Sequence, residues 1–108
     1  MSDVFQKFII ENDPEDGLYM VLAKCTFHKQ LAHNTENVLG GGSWELFENE
    51  ITLFGQSHDF GPCDLEDLKY VVQNQKVFTS STLIRNLSDK FTFIWQDIDY
   101  GTKINLKE

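Results

Sequence analysis

The chain has 108 residues, a formal net charge of −8, an apolar fraction of 41% and 13% aromatic residues, nine of them phenylalanine. That length suits one domain over residues 1–108, large enough to bury a core without disulfides or metals, and the composition excludes disorder. Acidic clusters at 11–16, 45–50 and 64–67, with no basic run, exclude a nucleic-acid or anionic-lipid surface, and no stretch approaches the roughly 20 apolar residues of a membrane span.

Residues 4–12, "VFQKFIIEN", mix aromatic and β-branched residues over a strand's length, and "DPEDG" at 13–17 is a turn signal. "LYMVLAKCTF" then reads as a second strand buried on both faces and joined to the first as a hairpin. "HKQLAHNTEN" breaks the pattern, with room for one or two helical turns before turn residues at 34–37. "VLGGGSWELF" and "ITLFGQS" flank "ENE". Trp44 and Leu46 alternate with Glu45, and Ile51 and Leu53 with Thr52, as half-buried antiparallel strands do. Asn49 is the residue expected to take the left-handed turn position.

After the loop "HDFGPC", residues 64–78 read as the clearest helix. Asp64 is its cap, Glu66 and Asp67 suit the positive end of its dipole, and Leu65, Leu68, Val71 and Val72 form one apolar face. "SSTLIRNLSDK" at 80–90 predicts a short second helix. "FTFIWQDI" predicts a closing strand with Phe91, Phe93 and Trp95 on one face, and the polar tail from Gly101 is expected to fray. The order β-β-(α)-β-β-α-α-β predicts an α+β domain. Its mixed or antiparallel sheet would have about five strands and pack against helices from the C-terminal half.

Cys25 and Cys63 lack metal-site spacing, and "MSDVFQKFII" has charges on both sides of a very short apolar run, unlike a signal peptide. The expected compartment is the reducing cytoplasm, with both thiols free. His28, His33 and His58 are the only histidines that a three-ligand zinc site would have. His28 and His33 are five positions apart, which suits neither a helical face nor a strand face, so no metal and no cofactor is expected. No P-loop, nucleophile elbow or dinucleotide fingerprint is present, since "GGGS" lacks the Lys-Ser/Thr that a P-loop requires.

Three segments share one likeness: "LGGG" at 39–42, "FGQSHDFGP" at 54–62 and "FTFIWQD" at 91–97. Together they resemble the Janus/Ocnus family, the phosphohistidine phosphatases and their relatives. "VFQKFII" is similar to the family's first strand, and Phe27-His28 to the aromatic-His pair that carries its catalytic histidine. The resemblance implies hydrolysis of the P–N bond of phosphohistidine without a metal, with His28 as general base or nucleophile. It implies phosphate contacts from the region of Gly40, Ser57 and His58, and a lysine near Gln6 and Lys7, one residue out of register. The implied partner is a phosphohistidine-containing protein or a small phosphoramidate. The chain departs from the family pattern in lacking an arginine on the second strand, in shorter connections before the glycine run, and in a longer segment at 64–78.

Read from the residues themselves, histidine suits base chemistry because it exchanges protons near neutrality. Lys7 would supply positive charge for an oxyanion. Ser57 adds a hydroxyl and the 57–61 loop a set of backbone donors. His58 lies in the same loop and is the alternative to His28. Glycine inside a strand marks a bulge or a close approach, so the run at 40–42 is either a kink over the core or a place where a phosphoryl group meets the backbone. The alternative function is a non-catalytic relative that binds a protein partner through the same pocket or through its acidic surface.

Overall fold

The computed structural model describes residues 5–79, 91–97, 99 and 101–108. Strands β1 (Phe5–Asp13) and β2 (Gly17–Cys25) pair antiparallel as a hairpin. Its turn is closed by Asp13, whose Oδ1 accepts the N–H groups of Glu15 at 2.7 Å and Asp16 at 3.0 Å. Gly17 then takes φ +78°, a conformation that glycine adopts without steric cost. Strand β3 (Val38–Phe47) pairs antiparallel with β1 on one side and with β4 (Glu50–Phe54) on the other.

Helix α1 (Leu65–Gln73) follows, then β5 (Val77–Thr79), β6 (Thr92–Gln96) and β7 (Lys103–Asn105). All seven strands form one mixed sheet in the order β5-β2-β1-β3-β4-β6-β7, curled into a half-barrel. β5 runs parallel to β2 and β6 parallel to β4; the other pairs are antiparallel.

The expected α+β domain, five strands packed with C-terminal helices, is therefore corrected: among the described residues strands take 51% and helical turns 18%, and there is one α-helix. The helix expected over 64–78 ends at Gln73 because the chain turns back on itself there. Gln75 adopts φ +58°, and the N–H of Lys76 reaches the carbonyl of Val71 at 2.8 Å. The Val-Phe pair beyond that turn joins the sheet instead, with Val77 opposite Met20, as β-branched and aromatic residues favour.

The tail from Gly101 is not frayed. Asn105 pairs with Ile94, and Leu106 is fully buried with its N–H on the carbonyl of Phe93 at 2.9 Å. Segment 28–37 folds as two 3-10 turns, His28–Leu31 and Thr35–Asn37. The helix expected over 80–90 lies outside the described residues. Among the described residues, no helix is long and apolar enough to cross a membrane.

Alternation along the strands sends side chains to two unequal faces. One carries twelve buried apolar residues, among them Phe8, Ile10, Met20, Leu53 and Phe93 against Leu68, Val71 and Val72 of α1. The other carries three: Ile9, Val21 and Leu31. At about 1.5–3 kcal/mol for each fully buried side chain, the first face supplies most of the hydrophobic stability. The second is free to hold polar groups.

The β3–β4 turn differs from expectation in one residue. Glu48, not Asn49, has positive φ, at +55°. A glutamate there strains its Cβ against the backbone, so Glu48→Gly is expected to raise stability by about 0.5–1 kcal/mol. A chemical-denaturation midpoint that moves upward would show it, and one that falls would count against the strain.

Candidate functional site

The lightly covered face holds His28. Strand β2 ends at Cys25, and the chain is turned there by Gln30, whose Oε1 accepts the N–H groups of Thr26 at 2.9 Å and Phe27 at 2.8 Å. Leu31, buried beside Ile9 and Val21, anchors the far end of the 3-10 turn. The result places the His28 ring over the middle of β3, with only 4% of the residue exposed. Its Nε2 donates to the carbonyl of Gly42 at 2.8 Å. A carbonyl only accepts, so Nε2 carries the proton and Nδ1 keeps its lone pair. Burial pushes the imidazole pKa below its ordinary 6.5, and the positive charge of Lys7 acts in the same direction. The Gly42 hydrogen bond and the charge of Asp59 oppose that shift without reversing it. His28 is therefore neutral at pH 7, with one basic nitrogen.

The three glycines divide between the two faces. A Cβ on Gly41 would lie 2.5 Å from the Phe8 carbonyl oxygen, 3.0 Å from Cδ2 of His28 and 3.2 Å from Cβ of Ser57. Gly41 is thus the seat on which His28 and Ser57 rest. A Cβ on Gly40 would meet the Pro62 carbonyl oxygen at 2.3 Å, and one on Gly42 the Phe8 ring at 2.8 Å. Gly40 pairs with Ile10 and Gly42 with Phe8, both residues of the helix-covered face. The run is a close approach of protein to protein, and Gly40 does not share the His28 face.

The loop between β4 and α1 is tied to the same strand. The N–H of Ser57 donates to the carbonyls of Gly41 at 2.9 Å and Gly61 at 3.1 Å. Gly61 N–H returns to the Ser57 carbonyl at 2.9 Å, and Gly41 N–H donates to Gly61 at 3.0 Å. Ser57 Oγ, almost fully buried, accepts from the N–H groups of Asp59 at 3.2 Å and Phe60 at 3.1 Å. Its backbone donor is committed to holding the loop, and its hydroxyl proton is what remains to donate. His58 sits exposed at the loop tip and makes no hydrogen bond among the described residues.

Lys7 lies on β1 opposite Ala23 and Ser43, on the same face as Ile9 and hence as His28. Its backbone carbonyl accepts from Trp44 Nε1 at 3.0 Å, and its Nζ rests 5.2 Å from the Phe5 ring centroid. The structure brings together His28, Ser57 and Lys7. It leaves His58 outside and Gly40 on the other face.

No family model, no curated protein and no solved structure matches this chain. The likeness to the Janus/Ocnus family accordingly rests on the residues quoted for it. Among the described residues, no group of three His, Cys, Asp or Glu side chains is placed to hold a metal ion. Cys63 packs against the main core, and its thiol pKa is pushed up to about 12, chiefly by burial and next by the charge of Asp67. Burial also raises the Cys25 thiol, so neither cysteine is an activated nucleophile.

Two contributors to the site carry no motif in the sequence. Gly41, not Gly40, contacts the histidine. Glu11, fully buried, accepts the N–H groups of His33 at 2.8 Å and Asn34 at 3.2 Å, one on each carboxylate oxygen. It also takes a hydrogen bond from Tyr19, whose phenol is held well above its ordinary pKa first by burial and then by Glu11. Glu11 fastens the segment that follows His28 to β1. The period of two along β1 was the available signal, because it puts Glu11 on the face of Lys7 and Ile9.

Proposed function

We propose that this chain is a small cytoplasmic phosphohydrolase of the phosphohistidine phosphatase type, with His28 as the reacting base. The observation that supports it is the state of His28: neutral, its Nε2–H fixed on Gly42, its Nδ1 lone pair uncommitted among the described residues, and Lys7 near enough to act on it electrostatically. As general base, Nδ1 takes a proton from water while the water oxygen bonds to phosphorus. The P–N bond breaks, its electron pair goes to the substrate nitrogen, which takes the proton from Nδ1, and inorganic phosphate leaves. As nucleophile, Nδ1 itself bonds to phosphorus as the substrate P–N bond breaks, its electron pair going to the substrate nitrogen; water then attacks phosphorus, the His28 P–N bond breaks with its pair returning to Nδ1, and inorganic phosphate leaves. In both routes Lys7 offsets the negative charge on the phosphoryl oxygens. The Ser57 hydroxyl is the further donor on this face.

A second reading is favoured by a different observation. The backbone donor of Ser57 is spent inside the loop, and Gly40 is sealed by Pro62. Among the described residues that leaves Lys7 and one hydroxyl on this face to hold a phosphoryl group, a lean set for catalysis. On this reading the chain is a non-catalytic module that binds an anionic partner at the same place. A titration with inorganic phosphate followed by histidine NMR tests whether the site takes phosphate. The His28 ring resonances are expected to shift at millimolar phosphate, more than those of His33. An unchanged His28 spectrum removes the support for phosphate at this face.

A further inference from the structure

Two segments that flank His28, part of β1 and the run from β2 through the 3-10 turn, have a composition unlike the rest of the chain. Within residues 5–10 and 18–35 there is no carboxylate, in a protein of net charge −8, but Lys7, Lys24 and Lys29 are there. Two large aromatic side chains are also left in solvent in these segments: Phe5 is 56% exposed and Phe27 52%. Each carries an ammonium against its ring, Lys7 over Phe5 at 5.2 Å and Lys29 over Phe27 at 5.4 Å. Phe5 pairs with Cys25, the last residue of β2 and two residues before Phe27 in the chain, and lies on the face of Lys7. Among the described residues, carboxylates on this side come from Asp59, whose charge reaches His28, and Glu45, two positions beyond Ser43, the partner of Lys7; Asp3 precedes Phe5 in the chain. Lys24 pairs with Gln6 and so belongs to the opposite face.

Exposed phenylalanine gains from burial against another apolar surface, at about 25 cal/mol per Å² removed from water. A lysine held against each ring keeps positive charge at the rim of that surface, the arrangement of an apolar anchor surrounded by polar groups. A small free phosphoramidate has no use for either ring. A polypeptide does.

We propose that Phe5 and Phe27, with Lys7 and Lys29, form a docking face for an acidic polypeptide segment that carries an apolar side chain and presents its anionic group to His28. The catalytic role of His28 in this statement rests on the reading above, whereas the docking itself does not.

The test uses the full chain and a double variant, Phe5→Ser/Phe27→Ser, with Lys29→Gln as a second variant. A fluorescein-labelled peptide rich in glutamate and containing one phenylalanine is followed by anisotropy at low and at high salt. Binding by the wild type is expected to weaken at least tenfold in the double variant. It is expected to weaken severalfold in Lys29→Gln, with a shallower salt dependence. Equal binding by all three proteins, or no binding by the wild type, overturns the docking face.

The second arm compares turnover of a phosphohistidine-containing polypeptide with that of phosphoramidate. In the double variant kcat/KM for the polypeptide is expected to fall about tenfold through KM, with phosphoramidate turnover within twofold of wild type. Equal loss on both substrates means that the phenylalanines act on the site and not on docking, and overturns the proposal. Wild-type turnover of neither substrate defeats the phosphatase reading, and the anisotropy arm alone then decides the docking face.

Discussion

Replacing Gly41 by alanine is expected to lower stability by about 3 kcal/mol, at the upper end of what overpacking of a core site costs. The new methyl carbon would sit 2.5 Å from a backbone oxygen of the neighbouring strand, and that oxygen moves only if β1 moves. The two other contacts, His28 Cδ2 at 3.0 Å and Ser57 Cβ at 3.2 Å, are themselves held, His28 by Gly42 and Ser57 by the loop hydrogen bonds. No flexible side-chain end is available to give way. Gly17 is a useful contrast, because a Cβ there meets nothing within 4 Å and only its φ of +78° opposes substitution. Gly17→Ala should cost about 1–2 kcal/mol. In a domain of this size about 1 kcal/mol corresponds to roughly 4–8 °C in Tm, so the two variants should separate in a calorimetric scan. A Gly41→Ala protein as stable as wild type would mean that His28 does not rest on β3.

The second large effect concerns His28 and pH. Its pKa is lowered in the folded chain relative to 6.5, first by burial. Between that lowered value and 6.5 the unfolded chain binds a proton that the folded chain refuses. Acidification from pH 7 therefore draws the equilibrium toward the unfolded state, and stability contributed by this group is lost as pH falls. His28→Gln should flatten that part of the stability profile. The same shift governs chemistry. The basic nitrogen is present above the lowered pKa, so kcat/KM for a phosphoramidate should hold level through pH 7 and fall only on a limb below 6.5. His28→Ala should reduce turnover by about 10²–10⁴-fold, the range for loss of a general base. A profile whose acid limb lies above 6.5 would assign the base to another group.

The hairpins β1–β2 and β3–β4 were legible because their signals are local. Asp13, Pro14 and Gly17 specify one turn, and the alternation of Trp44, Ile51 and Leu53 specifies faces. The apolar face of α1 was legible for the same reason. What could not be read was non-local. Strands β5 and β7 are three residues long and carry no period, and their existence depends on partners far off in the chain, Met20 for Val77 and Ile94 for Asn105. Val77 and Phe78 read as helix and the segment from Gly101 read as a frayed tail hide two of the seven strands, while the helix expected over 80–90 lies outside the described residues.

The site shows the same division. His28 and Lys7 were named from residue type and motif, and both lie on one face. The choice among three adjacent glycines depends on strand register. The register shifts by one residue between Ile10 and Glu11, so Gly40 pairs with Ile10 while Glu11 pairs with Val38. A bulge at Leu39 leaves no mark in the sequence beyond the glycines that follow it. The committed hydrogen bonds of Ser57 were equally invisible, since they require Gly61 to fold back onto Gly41.

The central claim is that His28 carries the chemistry. The most direct measurement is phosphate release from phosphohistidine and from phosphoramidate by wild type, His28→Ala and His58→Ala, with circular dichroism confirming that all three are folded. Wild type and His58→Ala are expected to release phosphate, and His28→Ala to release it at least a hundredfold more slowly. Folded wild-type protein that releases no phosphate, or a His28→Ala variant that releases it as wild type does, would contradict that claim.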